Sequence, residues 1–194
     1  TAPGPLPDDA QIEMALAGLR GPQMQLPPMH SAVKQDGKRL YELARSGQEV
    51  ERRPRPITIY RLDLVEYAPP LVRLVVECSK GTYIRTLAYD LGVVLGCGAH
   101  LAALVRTRHG PFTLAEAVTL AALEAAVADG TWRAWLRPAD QVLDHLPAFA
   151  LTEDEVRRVR QGQGLIRPAP VGAAPALARL YGPGAAFIAL ATWH

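Results

Sequence analysis

Lysine is nearly missing from this chain. It occurs only at Lys34, Lys38 and Lys80, and arginine supplies every other basic side chain. Arginine's planar fork grips phosphate and stacks on bases, so the choice of cation is compatible with a nucleic-acid partner. A compositional bias towards Ala, Gly, Pro and Arg accounts for it equally well. Cysteine is scarcer still. Cys78 and Cys97 make no disulfide framework, and a buried or incidental thiol in a reducing cytosol is the expectation for each. No apolar run approaches the ~20 residues that span a bilayer. The Pro-rich start "TAPGPLPDDAQ" has no signal-peptide core and no methionine, and reads like a linker within a longer protein. A cytoplasmic protein without a membrane segment is expected. The net charge of +2 is too small to argue for any partner.

Several chemistries lack their residues. His30, His100, His109, His145 and His194 have no zinc-ligand spacing with a cysteine or with one another, so no metal is expected. "SKGT" lacks the glycine spacing of a nucleotide P-loop. No Gly-x-Ser-x-Gly elbow is present.

What is there fits an α+β chain of ordinary domain size, with 194 residues and 49% hydrophobic content. Asp8 and Asp9 cap a helix over residues 10–20, stopped by Gly21-Pro22. Pro27-Pro28 bars regular helix, residues 30–34 can extend, Asp36-Gly37 marks a turn, and residues 38–45 form a short helix ended by Ser46-Gly47. Residues 57–66 and 71–78 are strands joined through "YAPP", the second alternating Val72, Leu74, Val76 and Cys78 with Arg73, Val75 and Glu77. A helix over 83–95 carries Ile84, Leu87, Leu91 and Leu95 at helical spacing; residues 101–107 return as a strand, and 119–129 are helical. A boundary falls near Leu146-Pro147. Beyond it, Thr152 and Glu155 form a capping box, and residues 176–181 and 186–191 are strands.

The densest chemistry is "CSKGTYIRTLAYDLG", residues 78–92, a strand end, a turn and a helix start. The first N–H groups of a helix lack intrahelical partners, so that end attracts anions. Arg85 on the first turn can point back to the same place, or can pair with Asp90 or a C-terminal carboxylate as a purely structural arginine. "LVRTRHGPF" sets Arg106 and Arg108 on one side of the expected strand with Leu104, which fits a nucleic-acid surface or a solvated strand face. Lys34, Lys38 and Arg39, with Arg45, Arg52, Arg53 and Arg55 downstream, offer a second basic patch for phosphate. Asp63 in "YRLDL" sits in an alternating strand and reads as a solvent-facing carboxylate.

Taken in order, "QLPPMHSAVKQDGKRLYELARSG", "RPRPITIY", "CSKGTYIRTLAYDLGVVLGCGAHLAALVRT" and "GPF" resemble the bacterial TruB-type tRNA pseudouridine-55 synthases, over about residues 9–120. The tail from about Phe149 resembles their small PUA-related domain. The resemblance implies isomerisation of a T-loop uridine in tRNA by a monomer, without cofactor or metal. The target base is flipped into the pocket. It implies a partial catalytic domain over 1–146, with a mixed, mostly antiparallel sheet, flanking helices and a mobile thumb at about 23–47. A β-rich PUA-like domain over 147–194 follows. It also implies that Arg85 pairs with a catalytic aspartate, that Tyr83 lies near the flipped base, and that Leu104 packs in the pocket. Lys34, Lys38, Arg39, Lys80, Arg106 and Arg108 are the expected RNA contacts.

Two departures bear on this. His30 stands where many relatives have tyrosine, with a modest effect expected on the thumb. The family's Gly-x-Leu-Asp segment, which carries the catalytic aspartate, is absent from these residues, and Asp63 occupies an ordinary strand position. The chain is therefore expected to be a C-terminal portion, inactive by itself, with exposed sheet edges. Its Arg85 should be solvated or should borrow another carboxylate. A non-catalytic RNA-binding or tRNA-folding module is the alternative.

Overall fold

The computed structural model describes residues 4–31, 33–35, 38–45, 47, 50–166 and 177–192. They fall into two compact units, Thr1–Leu104 and Val105–His194, and the architecture is α+β.

The first unit begins with helix α1, Asp9–Gly18, opened by a reciprocal capping box between Asp8 and Gln11. Strand β1, Gly21–Gln25, follows. A short ladder joins β2, Lys34–Gln35, to β3, Lys38–Arg39, and leads into helix α2, Leu40–Arg45. The long strand β4, Arg55–Ala68, turns back into β5, Leu71–Cys78, and helix α3, Ile84–Leu95, completes the unit. The sheet order is β1-β4-β5, antiparallel throughout.

Two bulges shape β4. The register slips between Ile59 and Arg61 and again between Leu64 and Glu66. Each bulge adds one residue, so the inward face passes from Ile57 and Ile59 to Leu62 and Leu64 and then to Tyr67. Plain alternation would have buried Arg61 and Asp63. Instead Arg61 binds Asp63 at the surface, and Asp63 lies 3.8 Å from Arg20. Arg20 donates twice to the carbonyl of Leu62, at 3.0 and 2.7 Å, tying the end of α1 to the sheet.

The core lies between this sheet and the two helices. Ile12 and Leu16 from α1, Ile59 and Leu62 from β4, and Leu87 and Leu91 from α3 are all buried. Burying each such side chain contributes about 1.5–3 kcal/mol before conformational entropy is counted. The last turn of α3 ends on "GCGAH". A Cβ at Gly92 would lie 2.0 Å from the nitrogen of Ala99, so only glycine lets that loop close against the helix.

The sequence misjudges three places in this unit. Gly21-Pro22 stops α1 but also starts β1. Pro22 lies opposite Thr58, whose N–H and carbonyl both face Ser79 on the other side, so the missing proline donor costs nothing. The short helix starts at Leu40 rather than at 38, since Lys38 and Arg39 form β3, and among the described residues of 30–34 only Lys34 lies in a strand. Residues 101–107 are not a strand, because among the described residues they join no sheet ladder; the carbonyl of Thr107 accepts from the N–H of Leu114 at 2.8 Å, a single bond that makes no strand. Asp36-Gly37 and Ser46 lie outside the described residues.

The second unit opens with a small hairpin, β6, Arg108–His109, and β7, Phe112–Thr113. Helix α4, Leu120–Asp129, is capped by Thr119, whose hydroxyl accepts from the N–H of Ala122 at 3.2 Å. A three-stranded sheet then forms from β8, Ala148–Ala150, β9, Leu177–Tyr181, and β10, Phe187–Thr192. Its order is β10-β9-β8, and β8 runs parallel to β9. Helix α5, Glu153–Arg160, carries the expected Thr152–Glu155 capping box and packs Val156 with Leu151 and Leu180. Arg179 anchors this sheet to the residues before it. It donates to the carboxylate of Asp144 at 2.7 Å and to the carbonyl of Leu146 at 3.1 Å, and its guanidinium lies over the ring of Tyr181. The Tyr181 hydroxyl donates to Asp140, which holds the phenol above its ordinary pKa.

Among the described residues no helix is long and apolar enough to cross a membrane, and no three His, Cys, Asp or Glu side chains gather as a metal site would need.

Candidate functional site

The turn after β5 is built by serine and glycine. The N–H of Ser79 donates to the carbonyl of Thr58 at 2.9 Å, and the Ser79 hydroxyl accepts from the N–H of Thr58 at 2.9 Å. Ser79 thus extends the ladder by one residue while the chain is already turning away. The Thr82 hydroxyl closes the turn on the carbonyl of Ser79 at 2.9 Å. Gly81 sits between them at φ +85°, a conformation in which a side chain is strained. Lys80 is exposed at the tip. Tyr83, half-buried, is the N-cap of α3 and provides no side-chain cap bond, so the first N–H groups of that helix keep their bonding capacity.

Against this turn lies the segment after β1, "QLPPMHS". Gln25 is 4% exposed and makes two bonds to one residue. Its Oε1 accepts from the N–H of Tyr83 at 2.7 Å, and its Nε2 donates to the carbonyl of Tyr83 at 3.1 Å. The Thr86 hydroxyl reaches the carbonyl of Leu26 at 3.5 Å. Arg52 donates to the carbonyl of Pro27 at 3.1 Å, and Arg85 donates through Nη2 to the carbonyl of His30 at 2.6 Å. Pro27 and Pro28 have no N–H to offer. The strap is therefore held through its carbonyls, by donors that come from elsewhere.

Arg85 itself is exposed on the first turn of α3. No carboxylate within the described residues is hydrogen-bonded or ion-paired to it. The alternative pairing with Asp90 does not occur. Asp90, half-buried on the same helix, has no cation against it, and burial raises its pKa above the ordinary carboxylate value. The guanidinium has five donors, and its bond to His30 uses one, so the remaining donors can take an anion.

The other expected site residues are more scattered. Leu104 is 59% exposed in the irregular stretch that ends the first unit. Arg106 and Arg108 belong to the second unit, where Arg106 is in coil and Arg108 in the two-residue strand β6, so no single strand carries them with Leu104. Lys34 and Arg39 face each other in the β2–β3 ladder, with Lys38 opposite Gln35. The sequence did not single out Gln25, Ser79 or Thr86, and it offered Arg52 only as part of a basic patch for phosphate. The one signal for Gln25 was an amide side chain set directly before an apolar proline segment.

Two family models match the chain: TruB family pseudouridylate synthase (N terminal domain) over residues 4–84, and tRNA pseudouridylate synthase B C-terminal domain over residues 85–144. Their junction falls between Ile84 and Arg85, in the first turn of α3. Among curated relatives, the tRNA pseudouridine synthase B of Aromatoleum aromaticum is 52% identical over 184 residues, covering 95% of this chain and 58% of the relative. The tRNA pseudouridine synthase B of Pseudomonas paraeruginosa is 51% identical over 160 residues, covering 81% of this chain and 53% of the relative. The chain thus spans about half the length of the curated relatives it matches. Among solved structures, a chain of a Cbf5-Nop10-Gar1 complex superimposes with a TM-score of 0.71 at 27% identity, covering 97% of this chain and 56% of that one. By both family models and by identity over nearly its whole length, this chain belongs to the TruB family of pseudouridylate synthases.

Proposed function

We propose that this chain carries the arginine side of a tRNA pseudouridine synthase site, acting on uridine-55 of the T-loop. The reaction is an isomerisation. The base leaves the ribose C1′ through N1 and returns through C5, the C5 proton is released, and N1 takes up a proton, so nothing is oxidised or reduced. Arg85 holds the catalytic carboxylate ionised through charge pairing. Tyr83 lines the place of the flipped base, and Leu104 packs against it. Lys34, Lys38, Arg39, Lys80, Arg106 and Arg108 take the RNA phosphates. The partial catalytic domain runs to residue 146, with its thumb at about 23–47, and the PUA-like domain covers 147–194. The protein works as a cytoplasmic monomer.

The observation that carries this proposal is Arg85. It is exposed beside the thumb segment, it has donors to spare, and no described carboxylate engages it. The same observation supports a second reading, in which these 194 residues bind RNA without turning it over. Both require phosphate recognition. Filter binding of a T-loop stem-loop RNA as salt is raised tests that requirement. The expected result is an affinity that falls with a log–log slope of about 0.7 per phosphate contacted. Affinity without a salt slope, or no binding, would exclude both.

A further inference from the structure

The hydrogen bonds around Arg85 point to a residue that controls it. We propose that Gln25 is a positioning residue for Arg85, acting through the main chain of Tyr83. The inference deepens the functional reading above and rests on it for its consequence in RNA recognition, but its structural part stands alone.

Gln25 ends β1, which is fixed on β4 by a five-pair ladder running from Gly21↔Ile59 to Gln25↔Arg55. Its side chain is therefore delivered from a rigid element, and it is buried. A primary amide is the side-chain group that can accept from a backbone N–H and donate to a carbonyl of the same residue at once. Gln25 does this to Tyr83, as a neighbouring strand would. Tyr83 is the residue from which α3 departs: its carbonyl also accepts from the N–H groups of Thr86 and Leu87, at 3.1 and 3.0 Å. Fixing both main-chain groups of Tyr83 fixes where the helix starts, and Arg85 stands two residues later.

The other end of the arrangement is the strap itself. Residues 26–30 leave β1 directly after Gln25 and return to Arg85 through the carbonyl of His30. Gln25 thus holds Arg85 in two ways. Its side chain sets the helix that bears the guanidinium, and its main chain anchors the strap whose carbonyl the guanidinium binds. Removing the amide releases the first hold and leaves the second, which is made by main chain, in place. Alternative partners do not replace it: Glu lacks the donor for the Tyr83 carbonyl, and Asn is one methylene short.

The test is made on the 194-residue chain, by amide and guanidinium hydrogen exchange in NMR spectra of the wild type, Gln25→Ala and Gln25→Met. Methionine keeps the volume and removes only the polar atoms, so it covers a failure of the alanine variant to fold. Arg20 is the internal control, since it is bonded to Leu62 in the same unit but away from the strap. The expected result is exchange at the Tyr83 N–H and the Arg85 guanidinium faster by about tenfold, as for loss of a bond of ordinary strength, with Arg20 unchanged. Unchanged Arg85, or Arg20 and Arg85 changing together, overturns the proposal. A second arm measures affinity for T-loop stem-loop RNA in a double-mutant cycle with Arg85→Ala. If Gln25 acts through Arg85, Gln25→Met weakens binding in the wild-type background and has little effect once Arg85 is gone. Equal factors in both backgrounds mean that Gln25 does not act through Arg85. A wild-type chain that binds no RNA defeats the functional reading, while the exchange result still decides the structural one.

Discussion

Arg85 Nη2 donates to the carbonyl oxygen of His30 at 2.6 Å, across 55 residues of sequence. A guanidinium on the first turn of α3 therefore meets the strap that follows β1. The contact is to main chain, so its geometry does not depend on which side chain occupies position 30. The His30 departure from the tyrosine of many relatives leaves this bond intact.

Arg85→Ala should cost little stability, about 1 kcal/mol or less, because the side chain is exposed and loses one bond to a carbonyl. Urea unfolding of the two proteins checks this. A loss several times larger would mean that Arg85 is structural rather than poised for a ligand.

Gly92→Ala should be far more damaging. The new methyl would sit 2.0 Å from the Ala99 nitrogen and 2.4 Å from the Gly98 carbon, both backbone atoms that cannot swing aside. A loss of at least about 2 kcal/mol in urea unfolding is expected. An unchanged midpoint would show that the "GCGAH" loop does not close on α3 as described.

Asp90 gives a pH signature. Burial raises its pKa in the folded chain, so the unfolded chain ionises first as pH rises. Stability then falls with pH between the ordinary carboxylate value and the raised one. Asp90→Asn should therefore be more stable than the wild type at neutral pH, and equal to it in acid where Asp90 is protonated in both states. Thermal unfolding across that window reads the difference, and a variant less stable at neutral pH would show that Asp90 is paired.

In the second unit, Arg179→Ala should cost about 2 kcal/mol. The side chain is only 14% exposed and ties β9 to Asp144 and to the carbonyl of Leu146. Limited proteolysis should then cut between residues 140 and 147 faster than in the wild type. Equal cleavage rates would argue that the tie is incidental.

Much of this was legible in the sequence because it was local. The capping residues Asp8 and Thr152 announce their helices, and the alternation of β5 and the spacing of Leu87 and Leu91 declare their buried faces. What escaped depends on distant partners. β1 is a strand only because β4 accepts it, and "GPQMQ" has no strand signature of its own. Residues 101–107 have the right composition for a strand, but a ladder makes a strand and they join none among the described residues. The bulges in β4 leave no mark in residue type, yet they decide that Leu62 faces inward and Asp63 outward. At the site, Arg85 was visible from its motif and Gln25 was not, since its role lies in two bonds to a residue 58 positions away.

The central claim is that Arg85 stands ready for a carboxylate that the described residues do not bring to it. Tritium release from T-loop RNA labelled at C5 of its uridines, under excess of this chain, tests that most directly. The account predicts bound RNA and no tritium released above background. Stoichiometric release by the chain alone would contradict it.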